Sequence, residues 1–96
     1  MKECCAKKKE RSEAEKKELL TRLNKIIGQL NGIKKMVEED RYCDDILTQL
    51  AASDKAIKNL SAILFESHVS SCVVESIKEG NTDVVDELIT LFKRYI

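Results

Sequence analysis

The chain has 96 residues, of which 43% are hydrophobic and 35% are charged, and it contains no Pro or Trp. This composition excludes a disordered chain and is typical of amphipathic helices, but two Phe and two Tyr give little bulk for a monomeric core. We therefore expect the chain to complete its core by oligomerising. It has no run of 18 apolar residues and no secretory signal, so we expect a cytosolic protein whose four cysteines are thiols rather than disulfides.

The charges are unevenly distributed, although the formal net charge is zero. Residues 1–36 carry 11 Lys and Arg against 5 Asp and Glu, whereas residues 37–96 carry 6 against 12. A basic segment of this kind predicts a nucleic-acid interface, because clustered cations attract the phosphate backbone. The alternative at this point is a solvated basic helix face without a partner.

In chain order, residues 1–12 are polar and Lys-rich, and we expect them to form a mobile arm. A first helix is predicted from about Ser12 to Val37, since apolar residues recur every three or four positions and Ser12 with Glu15 matches a capping box. Its apolar positions are Leu19, Leu20, Leu23, Ile26, Ile27, Leu30, Ile33, Met36 and Val37.

The first helix also carries the candidate interface residues. Gly28 and Gly32 lie four apart on one face, where we expect another helix to approach closely. The cations that we expect to bind DNA, mainly through its phosphates, are Lys16, Lys17, Arg22, Lys25, Lys34 and Lys35.

A turn at residues 38–41 precedes a second long helix, which begins near Cys43 and is closed by Gly80. A short third helix follows, with Asn81 or Thr82 as its cap. Its expected inward side chains are Val85, Leu88, Ile89, Phe92 and either Tyr95 or Ile96. No stretch shows the alternation of apolar and polar residues that is typical of a strand, so we predict an all-α chain of long, long and short helices. We expect a single domain over residues 13–96.

A Cys-His-Cys set on the second helix is the candidate metal site. His68 and Cys72 are four residues apart and share one helix face, but Cys43 lies 25 residues before His68, which is about 37 Å along a continuous helix. One chain therefore cannot bring the three side chains together. Two copies packed antiparallel can, and their two-fold symmetry produces a second identical site.

Two thiols and one imidazole are soft ligands that favour Cu(I), whose low coordination number suits three donors. Zinc usually takes four ligands in a closed site, which Cys4 or Cys5 would have to complete. Two other interpretations remain open. His68, Cys43 and Cys72 are ordinary core residues, or the two cysteines form a disulfide or polysulfide bridge across a dimer.

The residues that carry these patterns resemble the copper-sensing operon repressor (CsoR) family of bacterial transcriptional regulators. The matching stretches are residues 22–30, residues 32–40, Tyr42-Cys43 and His68-x-x-x-Cys72. The resemblance covers about residues 15–96. It implies an antiparallel helical-bundle dimer, assembled as a dimer of dimers, that binds operator DNA when metal-free and releases it when Cu(I) binds between protomers.

The resemblance also implies roles for individual residues. It assigns Cys43, His68 and Cys72 as ligands of one Cu(I) per protomer, with Tyr42 and Glu87 as hydrogen-bonding neighbours of those ligands. It matches Arg22 to a basic residue used for DNA, and a copper chaperone is a candidate partner.

The chain departs from the family pattern at some positions. Ile27 stands where Glu is usual, and Asn59 stands where a basic residue is expected, with Lys55 and Lys58 as its candidate replacements. Nickel- and cobalt-sensing relatives carry His at position 72 and formaldehyde-sensing relatives carry Glu there, whereas persulfide-sensing relatives lack His68. Retention of all three ligands favours copper.

Three functions follow from these observations. The first is a Cu(I)-responsive repressor, the second is a persulfide- or thiol-responsive repressor that uses Cys43 and Cys72, and the third is a cytosolic copper or zinc binder without a DNA role. An enzyme is not expected, because the sequence has one His and no phosphate loop.

Overall fold

A computed structural model describes residues 11–94, and all regular structure in that range is helical. The elements are α1 (Glu13–Glu38), α2 (Cys43–Ser67), a π-helix (His68–Val73), α3 (Val74–Lys78) and α4 (Asp83–Lys93). Since α2, the π-helix and α3 follow one another without a break, the chain has the predicted long, long and short helices. Residues 1–10 of the expected arm over residues 1–12, including Cys4 and Cys5, lie outside the described residues, as does the expected inward position at Tyr95 or Ile96.

Both ends of α1 are determined by local hydrogen bonds. The Ser12 side chain accepts the Glu15 N–H at 3.1 Å, as the capping-box pattern predicts. At the other end, Arg41 N–H donates to the Met36 carbonyl at 2.9 Å, and Asp40 adopts a left-handed backbone with φ of 55°. This closure stops the helix at the predicted turn, with Asp in a position that usually holds Gly.

The second helix ends in the same way. Asn81 N–H donates to the Ser76 carbonyl at 2.9 Å and Gly80 N–H donates to the Ile77 carbonyl at 2.9 Å. Gly80 has a φ of 86°, which confirms its predicted role as the residue that closes the helix. The Asn81 side chain then accepts the Asp83 N–H at 3.2 Å, so it supports the first turn of α4.

Residues 11–63 form one compact unit, in which α1 buries a single row of side chains. Leu19, Ile26 and Ile33 are seven residues apart and buried, as are Leu60 and Ser53 of α2. A hydrogen bond crosses this unit, since the Ser53 hydroxyl donates to the Gln29 side-chain carbonyl at 3.3 Å. The buried hydroxyl thus fixes how α2 faces α1 along this row.

We expect Ser53→Ala to lower the free energy of unfolding by about 1 kcal/mol, because it removes the hydrogen bond that buried Ser53 donates to Gln29. The matched control is Ser76→Ala. Ser76 is also fully buried, but its hydroxyl has no hydrogen-bond partner within residues 11–94, so its removal should leave stability unchanged or raise it. Urea unfolding at one fixed protein concentration measures both variants, since oligomerisation links stability to concentration. Equal losses in the two variants would contradict this account.

The residues from Leu64 onward form the second compact unit. Its buried side chains include Cys72 and Val73 of the π-helix, Ser76 of α3 and Val84 of α4. Val84 is 0% exposed, whereas the predicted inward side chains Val85, Ile89 and Phe92 are 39%, 48% and 50% exposed, so within the single chain the buried position on α4 is Val84. The rings of Phe65 and Phe92 pack within this unit, with centroids 6.2 Å apart.

Much of the apolar surface is uncovered in the single chain. The large exposed hydrophobic side chains of α1 and α2 are Leu20, Leu23, Ile27, Leu30, Val37, Leu47, Leu50 and Ile57. Gly28 and Gly32 are also open, since a Cβ built on either has no neighbouring heavy atom within 4 Å. No helix within residues 11–94 approaches either glycine closely.

The helix that runs from Cys43 to Lys78 is long and apolar enough to cross a membrane by length and composition alone, with a mean hydropathy of 1.2 in the relevant window. Only 22% of that window is buried in the single chain. A single helix of this kind is weak evidence for a membrane, because a helix that packs in a protein core meets the same criterion.

Candidate functional site

Cys43 begins α2 and its side chain is exposed, as a free thiol. The preceding Tyr42 is 72% exposed, and its carbonyl accepts the N–H groups of Asp45 and Ile46 at 3.1 and 3.2 Å. These bonds set the first turn of the helix, so Cys43 is presented at the helix N-terminus.

His68 and Cys72 both belong to the π-helix, which the sequence patterns did not predict. In this segment the hydrogen bonds reach five residues back, as the bond from Val74 N–H to the Val69 carbonyl shows. A π turn holds slightly more than four residues, so the two side chains still share one face. His68 is half-buried, and the thiol of Cys72 is buried.

Serine side chains explain why the helix widens here. The Ser71 hydroxyl donates to the Ser67 carbonyl at 2.6 Å, and the Ser70 hydroxyl donates to the same carbonyl at 3.4 Å. Hydroxyls that bond a carbonyl on the preceding turn compete with the backbone ladder and distort helices. The Ser70-Ser71 pair is therefore the sequence signal that could have located the π-helix.

Among the described residues, no three Cys, His, Asp or Glu side chains of one chain are grouped as a metal site. His68 and Cys72 are adjacent on their helix, whereas Cys43 is at the start of α2. A complete three-ligand site on this chain alone is thus not present in residues 11–94.

Glu87, the expected acceptor for His68, lies on α4 with its side chain exposed. No hydrogen bond or ion pair joins Glu87 to His68 within residues 11–94. Its expected role beside the ligands stays a prediction.

Three of the six expected DNA-binding cations are brought together in a groove within residues 11–63. The groove has a volume of about 600 Å³ and lies between α1 and the middle of α2. Its lining includes Lys17, Arg22 and Lys25 together with Gln29 and Asn59. Asn59, where a basic residue was expected, therefore belongs to the same surface as Arg22.

The other expected cations, Lys16, Lys34 and Lys35, are exposed on α1 and do not line the groove. Some of the expected DNA-binding cations form exposed ion pairs, since Arg22 lies 3.7 Å from Glu18 and Lys35 lies 4.0 Å from Glu39. Such pairs contribute little stability and can exchange for a phosphate. The groove thus gathers three of the expected cations, with Glu18 also in its lining.

The model of the family described as metal-sensitive transcriptional repressors matches residues 15–94. The chain belongs to this family. It is 43% identical over 86 residues to the copper-sensing transcriptional repressor CsoR of Bacillus subtilis (strain 168), and the match covers 88% of this chain and 85% of that protein. The CsoR resemblance is therefore confirmed.

Solved structures agree with this assignment. The chain superposes with a TM-score of 0.87 and 37% identity on the copper-sensing repressor CsoR with Cu(I) from Geobacillus thermodenitrificans NG80-2, over 90% of this chain and 91% of that one. It also matches the nickel-responsive transcriptional regulator InrS, with a TM-score of 0.71 and 31% identity over 83% of this chain and 91% of that one. The family consists of transcriptional repressors rather than enzymes, and the predicted all-helical fold is confirmed.

Proposed function

We propose that this member of the CsoR family is a Cu(I)-responsive repressor that binds operator DNA when metal-free and releases it when Cu(I) binds. Cys43 of one protomer and His68 and Cys72 of its partner form the site, with one Cu(I) per protomer. A repressor acts on chromosomal DNA, so the protein works in the cytoplasm. The relatives named for copper sensing support this proposal.

The observation that carries the proposal is the spacing of one row of side chains on the second helix, here called the α2 seam. Its members are Cys43, Leu47, Leu50, Asp54, Ile57, Ser61, Leu64 and His68. They alternate in steps of four and three, which is the repeat of a helix–helix seam. Leu47 is 62% exposed, and Leu50 and Ile57 are each 43% exposed, so the seam is open to a partner helix.

The α2 seam has the same steps when it is counted from either end. An antiparallel two-fold pairing centred between Lys55 and Ala56 therefore places position 47 opposite 64 and position 50 opposite 61. The same register places Cys43 opposite His68 of the partner. The apolar surface that would drive dimerisation thus aligns the two halves of the ligand set.

The donor set fits Cu(I). Cys43 and Cys72 both carry thiols, and His68 shares a helix face with Cys72. Thiolate and imidazole ligands are soft, and Cu(I), when bound, would link the start of α2 in one protomer to the π-helix of the other. Cys72 stands where the resemblance implies His in nickel-sensing relatives, so the InrS likeness supports the fold rather than nickel as the metal.

Operator binding with and without Cu(I), under anaerobic reducing conditions, tests the proposal. The metal-free protein should bind operator duplex with an affinity that falls steeply as salt rises, and Cu(I) should release it. A protein that binds Cu(I) but no duplex DNA would be a copper binder instead. Release by persulfide and not by Cu(I) would support the sulfur-responsive alternative.

We expect the double variant Arg22→Glu, Lys25→Glu to bind operator much more weakly, because both side chains line the cationic groove. Each lost phosphate contact should reduce the salt slope by about one. Fluorescence anisotropy across a salt series measures both quantities.

The matched control is Lys93→Glu, Arg94→Glu, which makes the same charge change at the end of α4, outside the groove. This control should change the operator affinity and the salt slope much less. Similar losses in both variants would show that only net charge matters, and the assignment of the groove would then be wrong.

A further inference from the structure

Gln29 continues the cationic row of α1 as a neutral side chain. Arg22, Lys25 and Gln29 follow one another in steps of three and four, so they share one face of the helix, and all three line the groove between α1 and α2. The proposed function assigns the two cations to DNA and gives Gln29 no role. Its place in the same row indicates that it meets the same part of the operator.

A buried hydroxyl holds one end of the Gln29 amide. Ser53 of α2 is 2% exposed, and its hydroxyl donates to Oε1 of Gln29 at 3.3 Å. A glutamine amide has its acceptor on one side of the amide carbon and its two N–H donors on the other. With Oε1 held towards α2, the group that Gln29 offers to the groove is the Nε2 amide, which only donates.

This orientation decides which part of DNA the side chain can bind. Glutamine reads adenine through two hydrogen bonds, one donated by Nε2 and one accepted by Oε1. The second bond needs Oε1 to point outward, whereas Ser53 holds it towards α2. A phosphate oxygen needs only a donor, and glutamine is among the side chains that supply one to the DNA backbone.

The shape of the groove supports the same choice. Base edges lie on the floor of the DNA grooves, so an element that reads them must protrude from the protein surface. Gln29 instead lines a concavity of about 600 Å³ beside Lys17, Arg22 and Lys25. Glu18 also lines it and is paired with Arg22 at 3.7 Å. A concave, mainly cationic surface accommodates the convex phosphodiester backbone.

We propose that Gln29 is a neutral hydrogen-bond donor to the operator phosphates, and that Ser53 is a positioning residue that directs its Nε2 amide into the groove. This inference rests on the proposed function, since it assumes that the groove binds DNA. A donor without charge releases no counterion, so it contributes to affinity but not to the salt slope. A phosphate contact also contributes equally on any base sequence.

The test measures binding of the operator duplex, and of a scrambled duplex with the same length and base composition, by fluorescence anisotropy across a salt series. Gln29→Met removes the donor and keeps an unbranched side chain of similar length. We expect it to weaken binding to both duplexes by about tenfold or more, with the salt slope unchanged. The matched control is Gln49→Met, at an exposed glutamine of α2 outside the groove, which should bind as the wild type does.

Ser53→Ala tests the positioning role. It should weaken binding to both duplexes less than Gln29→Met does, because the amide remains but is no longer held. If Ser53 acts through Gln29, the double variant should bind as Gln29→Met alone does, whereas an independent structural effect would add to that loss. Sedimentation at the assay concentration checks that each variant is folded and assembled like the wild type.

Unchanged DNA binding in Gln29→Met, or the same loss in Gln49→Met, would overturn the inference and leave the proposed repressor function standing. A larger loss on the operator than on the scrambled duplex would also overturn it, because Gln29 would then read bases. Additive losses in the double variant would remove the positioning role of Ser53. A wild-type protein that binds neither duplex would instead remove the proposed function, and this inference with it.

Discussion

Cys43→Ala and Cys72→Ala should each abolish the response to Cu(I), because each removes one of two thiolates from a three-ligand site. We expect the Cu(I) affinity to fall by more than about 100-fold, beyond the range seen when only a ligand's hydrogen-bonding neighbour is lost. Both variants should still bind operator DNA, since neither cysteine lines the groove between α1 and α2. Chelator competition and operator binding measure the two properties separately.

Co-assembly of the two variants tests whether the site is shared between protomers. In a mixed dimer, intact Cys43 from one chain meets intact His68 and Cys72 from the other. We therefore expect doubly tagged, co-purified protein to regain Cu(I) binding, up to one site for each pair of chains. A site built within one chain would give no recovery.

The control for this experiment co-assembles two differently tagged copies of Cys72→Ala. Neither chain supplies Cys72, so no arrangement of this dimer contains both thiolates of one site. Recovery in this control, or none in the first mixture, would contradict the antiparallel pairing of the α2 seam.

His68→Ala should separate metal binding from DNA release. The two thiolates should still hold Cu(I), but the imidazole is the group that can pass the signal to α4. When one ring nitrogen binds the metal, the other becomes a donor, and Glu87 on α4 is the proposed acceptor. A coupling free energy of about 3 kcal/mol between Cu(I) binding and operator binding means that Cu(I) weakens operator binding roughly 150-fold. In His68→Ala, Cu(I) should no longer weaken operator binding in this way.

Operator titration at saturating Cu(I) measures this coupling. Glu87→Gln should reduce it as His68→Ala does, whereas Asp86→Asn, a neighbouring exposed carboxylate on α4, should not. If His68→Ala releases the operator at the same Cu(I) level as the wild type, the imidazole does not carry the signal. The sulfur-responsive alternative, in which only Cys43 and Cys72 act, would then be favoured.

Much of the helical structure could be read from local patterns. The Ser12 cap, the closing turn at Gly80 and the start of α2 near Cys43 were all predicted, and each depends on hydrogen bonds between residues a few positions apart. The spacing of the α2 seam and the i, i+4 relation of His68 and Cys72 are likewise properties of the sequence alone. Local interactions of this kind do not require knowledge of the rest of the chain.

Other features depend on side chains that compete for the same partner or the same space. The apolar residues of α1 form a stripe broad enough for two rows, and only packing against α2 decides that Leu19, Ile26 and Ile33 are buried while Leu20 and Ile27 stay open. The π-helix arises because hydroxyls take a carbonyl from the backbone ladder, a competition that helical periodicity does not reveal.

The sequence by itself determined the order of the long, long and short helices, the ligand types and the spacing of the seam along the second helix, because these follow from the order and spacing of residues. Only the tertiary structure decided that Asn59 shares a groove with Arg22 and Lys25, and that Val84 rather than Val85 is buried. Residues far apart in the chain, or adjacent on a helix with similar hydrophobicity, are distinguished by what packs against them.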